Sequence, residues 1–225
     1  MALSGPAAPA RSGKATSLVI LLHGYGADGN DLFGLAEPLS QHLPGTAFRA
    51  PNAPEPCRNN PHGYQWFPIP WLDGSSDQER DEGFRRSVGL LDDYITDAMR
   101  DEGVDAAHTA LVGFSQGTMM SLYVSPRREE PVACIVGFSG RLVGHEDLAE
   151  AVKVRPPVLL VHGDMDQMIP VSELSVAETA LRNAGFEVTS HISRGIGHGI
   201  APDGLGLALR FLQQHLGTGA GTAGG

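Results

Sequence analysis

The sequence predicts a single α/β domain with a mostly parallel central sheet and helices on both faces. Continuous apolar runs of strand length recur along the chain, as expected of parallel strands covered on both sides, and helix-compatible segments separate them. With 225 residues, 41% of them hydrophobic, the chain is long enough to bury one large core. Within residues 110–124, an apolar run, a Gly-x-Ser-x-Gly turn and a helical segment follow each other directly.

The composition of the two ends sets the expected boundaries. Residues 1–16 are small and turn-forming, without an apolar run of signal-peptide length, and are expected to form a flexible segment. The domain is expected over residues 17–216, and the glycine-rich tail over residues 217–225 is expected to be disordered. No stretch is apolar enough to span a membrane, so the sequence predicts a cytoplasmic protein without stable membrane insertion.

The charge and the cysteines of the chain argue against several classes of partner. A formal charge of −10 and a pI near 5.3 disfavour nucleic acid and anionic membrane surfaces, which need clustered Lys and Arg. Neither Cys57 nor Cys134 has the spacing of a metal site or of a disulfide framework. No metal-ligand motif occurs, so no metal or organic cofactor is expected. The sequence leaves a homodimer open.

The first expected strand, residues 18–22, ends in the glycine-rich sequence HGYGADG. A dinucleotide-binding oxidoreductase would use such glycines, and would need an acidic residue about twenty positions later. Residues 47–53 offer none, and Asp28 and Asp31 would repel a phosphate, so this hypothesis is disfavoured. The alternative is an oxyanion loop whose donor is the backbone N–H of Tyr25, with a plain glycine turn left open.

The long loop over residues 49–71 contains both tryptophans of the chain. It follows a helix expected over residues 31–43, with Asn30 as its N-cap and with a glycine and a proline that weaken it. Because loops of this length often line a site, three aromatic residues are candidate walls of an acyl pocket, with core packing as the alternative for each. These are Trp66, Phe67 and Trp71. A helix with one apolar face is expected next, over residues 84–99.

Ser115 lies in the turn GFSQG, between an expected strand and an expected helix. Such a turn brings neighbouring backbone so close that a Cβ at the flanking positions would clash, which explains the two glycines. Its strained conformation exposes the Ser115 hydroxyl at the carboxyl end of the sheet. The backbone N–H of Gln116, at the start of the helix, then points to where negative charge develops on an attacked carbonyl.

Two further expected strands end in residues that bear on this site. The strand over residues 132–138 ends in a near copy of the serine turn that lacks its last glycine, so Ser139 is interpreted as a decoy. The strand over residues 158–161 is followed by two aspartates. Asp164 lies nearer the strand end and is expected to brace the loop, whereas Asp166 is the better candidate for the catalytic acid.

The C-terminal part of the sequence contributes a histidine on a glycine-rich loop. A helix is expected over residues 172–183 and an edge strand over residues 186–192. His198 follows in the sequence GIGHG, before a last helix over residues 205–216. It comes after the serine and the acid and lies outside any regular element, which distinguishes it from the other histidines.

Ser115, Asp166 and His198 occur in the chain order of the α/β-hydrolase triad, each just beyond an expected strand. The chain resembles the phospholipase/carboxylesterase family of single-domain α/β-hydrolases, which includes bacterial carboxylesterases and acyl-protein thioesterases. The matching stretches are LLHGYGAD, RAPNAPE, GYQWF, GFSQG, VHGDMDQMIP and GIGHGI. The resemblance implies that these three residues are the triad and that the backbone N–H groups of Tyr25 and Gln116 form the oxyanion hole.

The expected function is hydrolysis of small-molecule carboxylic esters of short to medium acyl chain, through an acyl-enzyme intermediate. An aromatic content of 6% and the lack of an amphipathic cationic helix argue against an interfacial lipase. Lysophospholipase or acyl-protein thioesterase activity is the alternative within the family. A non-catalytic binding module on the same fold is the alternative outside it.

Overall fold

The computed structural model describes residues 2–217 of the chain. The strands in this part are β1 (Ala7–Ala8), β2 (Ser17–Leu22), β3 (Thr46–Arg49), β4 (Glu55–Pro56), β5 (Tyr64–Gln65), β6 (Thr109–Phe114), β7 (Cys134–Phe138), β8 (Val158–Gly163) and β9 (Val188–Ser193). The α-helices are α1 (Gly29–Phe33), α2 (Ala36–Ser40), α3 (Pro70–Asp73), α4 (Asp77–Glu102), α5 (Gln116–Val124), α6 (Leu148–Ala151), α7 (Ser172–Asn183) and α8 (Pro202–Leu216).

Seven strands of the described chain form one central sheet, in the order β1-β3-β2-β6-β7-β8-β9. Only β1 runs antiparallel to its neighbour, which confirms the predicted, mostly parallel sheet. The strands β2 and β6 are neighbours, with Leu22 paired to Gly113 at their carboxyl ends. The glycine-rich turn after β2 and the serine turn after β6 therefore lie side by side, at the edge where open α/β sheets bind ligands.

The two faces of the sheet are covered by different helices. Along β2, Val19 and Leu21 pack into a cluster with residues of α1, α2 and α8, whereas Ile20 packs into a second cluster with residues of α4 and α5. The same alternation continues in β8, where Leu159 joins the first cluster and Leu160 joins a third cluster with α7. Strands with apolar residues on both faces read as continuous runs, so the predicted strands match the observed ones closely.

The helix predicted over residues 31–43 consists instead of two short helices, α1 and α2. The N-cap is Asp28 and not Asn30, because the Asp28 carboxylate accepts hydrogen bonds from the backbone N–H groups of Asn30 and Asp31, at 2.9 and 3.2 Å. By contrast, α4 is longer than predicted. It begins with a capping box at Ser76 and extends to Glu102.

Part of the N-terminal segment, residues 1–16, pairs with the sheet. Residues of β1 form an antiparallel pair with β3, and the backbone N–H groups of Ala50 and Asn52 donate to the carbonyls of Pro6 and Ser4, both at 2.9 Å. The sequence missed this pairing because a two-residue strand of alanines carries no hydrophobic period. The tail predicted to be disordered lies outside the described residues from residue 218 onward. No helix in the described part is long and apolar enough to cross a membrane.

The helix α5 approaches the sheet closely enough to exclude side chains at two positions. A Cβ on Gly117 would lie 1.8 Å from the carbonyl oxygen of Leu22, and a Cβ on Gly113 would lie 2.4 Å from the carbonyl carbon of Gly117. Both contacts are with backbone, which cannot move aside as a flexible side chain can. The two glycines of the serine turn are thus required by packing.

We expect Gly117→Ala to destabilise the protein by about 3 kcal/mol or more, because overpacking that displaces backbone lies at the upper end of its usual cost. The matched control is Gly89→Ala in α4, where nothing lies within 4 Å of an added Cβ. There alanine should stabilise the helix by roughly 0.5–1 kcal/mol. Denaturant unfolding of both variants tests this, and equal stability of the two would contradict the close approach of α5.

Candidate active site

Ser115 connects the end of β6 to the start of α5. Its backbone has φ +54° and ψ −115°, a conformation that non-glycine residues rarely adopt. The Ser115 N–H donates to the carbonyl of Phe138 at 2.9 Å, which fixes the turn to the neighbouring strand β7. The strained turn is thus held by the sheet, and Ser115 lines a cavity at the carboxyl ends of the strands.

The cavity has a volume of about 470 Å³. Much of its lining is apolar: Phe67, Pro68, Ile69, Pro70, Trp71, Leu72, Phe114, Met119, Met168, Ile169 and Pro170. Charged residues also contribute to the lining: Asp31, Asp77, Arg80, Arg141 and Glu173. Ser115 and His198 line the same cavity. An apolar site with a few convergent polar groups is the usual form of a small-molecule site.

His198 forms a short hydrogen bond with Asp166, with 2.7 Å between Nδ1 and Oδ2. The other carboxylate oxygen accepts from the backbone N–H groups of Met168 and Ile169, both at 2.9 Å. Burial raises the pKa of Asp166, but the hydrogen bonds from His198 and from the two backbone groups outweigh it and hold the pKa below its usual value. Asp166 is therefore an ionised carboxylate that orients the His198 ring.

Asp164 binds the loop that carries His198 and, within residues 2–217, makes no hydrogen bond to His198 itself. Its Oδ1 accepts from the Gly195 N–H at 2.6 Å, and its Oδ2 lies 3.5 Å from the Arg194 guanidinium. The two aspartates thus have different partners: Asp166 binds the imidazole, and Asp164 binds the backbone three residues before it.

His162 is a residue of this site that the sequence analysis missed. It is buried at the end of β8, with its Nε2 2.9 Å from the carbonyl of Ile169 and 3.4 Å from Asp166 Oδ2. The carbonyl can only accept, so Nε2 carries the proton and faces both oxygens. The signal in the sequence was the spacing of four residues between His162 and Asp166, at the end of one strand and in the turn after it.

The His198 ring packs against Phe114, with 4.8 Å between ring centroids. Phe114 immediately precedes Ser115, so the serine turn itself supports the histidine. No hydrogen bond joins the Ser115 hydroxyl to His198 within residues 2–217. In the absence of substrate such contacts are often long and shorten only in the reacting complex.

The expected oxyanion donors come from two adjacent strand ends. Across the described residues, the backbone N–H groups of Tyr25 and Gln116 donate to no protein acceptor, and both residues line the cavity. The loop before Tyr25 is braced by buried His23, whose Nδ1 lies 2.7 Å from the Gly24 carbonyl and whose Nε2 accepts from the Ala53 N–H at 2.9 Å. Burial lowers the pKa of His23, so its ring is a neutral brace.

The three aromatic candidates for the pocket divide between core and cavity. Trp66 is fully buried in the core and does not line the cavity, because its indole N–H points to the His23 carbonyl, 2.9 Å away. The pocket interpretation is therefore wrong for Trp66. Phe67 lies in the cavity wall, and Trp71 lies at the cavity with 71% of its surface exposed.

Ser139, interpreted as a decoy, shares the positive φ of Ser115 but not its surroundings. It has φ +46°, and its N–H donates to the carbonyl of Val161 in the neighbouring strand β8, at 2.8 Å. Its hydroxyl is buried, has no hydrogen-bond partner among the described residues, and does not line the cavity. Within the same residues, no group of three or more His, Cys, Asp or Glu is placed to hold a metal ion.

The fold agrees with what comparison with known proteins finds. The family model described as Phospholipase/Carboxylesterase matches residues 5–216. The chain belongs to this family. The crystal structure of esterase PE8 is similar to it, with a TM-score of 0.91 and 45% identity over 96% of this chain and 100% of that one.

Two curated relatives are more distant. Esterase YpfH of Escherichia coli K12 is 27% identical over 199 residues, which are 88% of this chain and 83% of that protein. Acyl-protein thioesterase 1 of Gibberella zeae is 28% identical over 222 residues, 92% of this chain and 94% of the thioesterase. These findings confirm the predicted family and the α/β-hydrolase fold, and with them a hydrolase that acts on esters.

We expect Asp166→Asn to lower kcat about 10⁴-fold, because an amide in place of the carboxylate favours the wrong imidazole tautomer. Asp164→Ala should instead lower the free energy of unfolding by about 1 kcal/mol through the lost Gly195 hydrogen bond, with kcat reduced less than tenfold. Ester hydrolysis and denaturant unfolding of both purified variants measure the two effects. If Asp164→Ala had the larger effect on kcat, the assignment of the acid would be wrong.

Proposed function

We propose that this protein is a serine esterase that cleaves carboxylic esters of short to medium acyl chain through an acyl-enzyme intermediate. The observation that carries the proposal is that Ser115, on its strained turn, and His198, bonded to Asp166, line one apolar cavity. A nucleophile and a base oriented by a third group are the minimal machinery of acyl transfer.

The chemistry assigns one step to each side chain. His198 binds Asp166 through Nδ1, which leaves Nε2 free to take the proton of the Ser115 hydroxyl as its oxygen attacks the ester carbonyl. The imidazolium then gives this proton to the departing alcohol, and the acyl group stays on Ser115. Water, deprotonated by the same imidazole, attacks the acyl-enzyme, and the imidazolium returns this proton to the Ser115 oxygen as the acid leaves. Asp166 stabilises the imidazolium in both half-reactions.

The negative charge that develops on the carbonyl oxygen needs donors, and two backbone groups are available. Tyr25 and Gln116 line the cavity, and their backbone N–H groups make no protein hydrogen bonds in the described chain. Gln116 is also the first residue of α5, so the positive end of the helix dipole faces the same point. In comparable sites one such donor contributes about 2.7–4 kcal/mol to the transition state.

The size of the cavity favours small esters. Its volume, about 470 Å³, lies in the lower half of the roughly 300–1,000 Å³ typical of small-molecule sites and must hold both the acyl and the alcohol groups. Pro68 and Pro70 stiffen the wall beside Phe67, which suits a fixed site better than a long mobile lid. Because acyl-protein thioesterases are among the relatives, thioester or lysophospholipid hydrolysis is the competing function.

We expect a fluorophosphonate probe to label Ser115 alone, and Ser115→Ala to lose both labelling and esterase activity. The loss in kcat should be about 10⁴- to 10⁶-fold, because triad members act as a unit and only binding and the oxyanion hole remain. Peptide mapping of the labelled protein identifies the residue. The control is Ser139→Ala, because Ser139 also has a positive φ but does not line the cavity. This variant should keep labelling and activity, and labelling at Ser139 would refute the site.

We expect activity on p-nitrophenyl esters to peak at acyl chains of about four to eight carbons, since a site of this size holds a limited apolar group. No increase should occur when the substrate passes its critical micelle concentration. A kcat/KM series from acetate to palmitate measures both effects. A preference for the sixteen-carbon ester, or activation by micelles, would favour the lysophospholipase and thioesterase activities.

A further inference from the structure

The cavity wall formed by residues 67–72, here called the pocket wall, is held at both ends by the residues that supply the proposed oxyanion donors. At its first end, the Gln116 side chain donates to the Phe67 carbonyl at 2.8 Å and accepts from the Trp66 N–H at 3.1 Å. At its other end, the Tyr25 hydroxyl donates to Asp73 Oδ2 at 3.0 Å. Gln116 and Tyr25 thus both line the cavity, and the side chain of each binds one end of the pocket wall.

Asp73 collects several hydrogen bonds at the end of the pocket wall. Its Oδ2 also accepts from the Ile69 N–H at 2.8 Å, and its Oδ1 accepts from the Ser75 N–H at 2.9 Å. Burial raises the pKa of Asp73, but the bonds from Ser75, Ile69 and Tyr25 outweigh it and lower the pKa below its usual value. The carboxylate is thus ionised, and the bond from the Tyr25 phenol is charge-assisted, which makes it one of the stronger kinds.

The loop around Tyr25 is anchored on both sides of this residue. Tyr25 lies between Gly24 and Gly26, which have no side chains of their own to pack, and the Gly24 carbonyl lies 2.7 Å from Nδ1 of buried His23. Beyond Tyr25 the loop is held by the Gly26 N–H, which donates to the Tyr64 carbonyl at 2.8 Å. The side chain of Tyr25 supplies the attachment on the cavity side.

We propose that the hydrogen bond from Tyr25 to Asp73 positions the Tyr25 backbone N–H in the oxyanion hole, and so joins the hole to the pocket wall. The side chains of Tyr25 and Asp73 are then positioning groups, whereas the Tyr25 backbone N–H is the donor itself. This inference rests on the proposed function, since it needs an ester carbonyl whose oxygen the N–H binds. Removal of one oxyanion donor lowers kcat by about 10²- to 10³-fold. Loss of the bond that positions a donor should therefore lower kcat by less than this.

The test is Tyr25→Phe, which removes the hydroxyl and keeps the backbone N–H. We expect kcat to fall about tenfold with p-nitrophenyl acetate and p-nitrophenyl hexanoate alike, with KM within twofold of wild type, because the lost interaction acts in the transition state. The Ki of a trifluoromethyl ketone, which forms an oxyanion on Ser115, should rise by the same factor. A bond that only shaped the pocket wall would instead raise KM for hexanoate and leave acetate unchanged, and this result would overturn the proposal.

The matched control is Tyr123→Phe on α5. Its hydroxyl makes no hydrogen bond within the described residues and the residue does not line the cavity, so kinetics should equal wild type. Thermal unfolding of each variant is measured alongside. If Tyr25→Phe does not fold, Asp73→Asn removes the charge of the acceptor and must show the same equal loss of kcat for both esters. In the double variant, kcat should equal that of the less active single variant, because both substitutions remove the same hydrogen bond.

The two proposals fail in different ways. Wild-type protein that neither hydrolyses esters nor reacts with a fluorophosphonate at Ser115 would end the proposed function. Wild-type protein that does both, with Tyr25→Phe equal to it in kcat and in Ki for the ketone, would leave the esterase assignment in place and end this inference alone.

Discussion

The contact between α5 and the carboxyl end of β2 governs the arrangement of the site. At Gly117 the helix backbone lies so close to the Leu22 carbonyl that no side chain fits between them. This approach, with the pairing of Leu22 and Gly113, sets the distance between the turn after β2 and the turn after β6. The proposed nucleophile, Ser115, and both proposed donors come from these two turns. The strained conformation of Ser115 is tolerated because the surrounding backbone permits no other path.

The histidine and its acid depend on a second set of constraints, made mostly by neutral groups. Asp166 is held by two backbone N–H groups and by buried His162. These contacts fix the orientation of its carboxylate toward His198. His198 is in turn held by Phe114 on one side and by its loop, which Asp164 anchors at Gly195. A glycine-rich loop thus carries a well-oriented imidazole, which is what preorganised catalysis requires.

The pocket wall links the stability of the fold to the site. Trp66, just before it, fills the core and donates to the His23 carbonyl, one residue before the loop that carries Tyr25. Gln116 reaches the same stretch of chain from the serine turn. Substitutions of Trp66 are therefore expected to disturb the oxyanion loop as well as the core, because the Trp66 indole N–H binds the His23 carbonyl at the start of that loop.

The architecture followed from local patterns that tertiary contacts reinforce. Strands covered on both faces leave continuous apolar runs, so β2, β6 and β8 were visible in the sequence. The sequence did not predict elements whose hydrophobic pattern is short or ambiguous. The pairing of β1 involves two alanines, and the break between α1 and α2 is decided by how each short helix packs on the sheet.

For the site, the sequence by itself determined the candidates: the motif around Ser115, two aspartates after one strand and His198 on its loop. The tertiary structure decided between them, because a distance across 32 residues cannot be read from spacing, and it is Asp166 that lies 2.7 Å from His198. It also places Trp66 in the core and Phe67 at the cavity. The sequence could not distinguish these adjacent aromatic residues, because only their surroundings in the fold differ. The partners of His162 and Tyr25 came from the fold alone, because each lies on a segment that folding brings close to the hydrogen-bonding group.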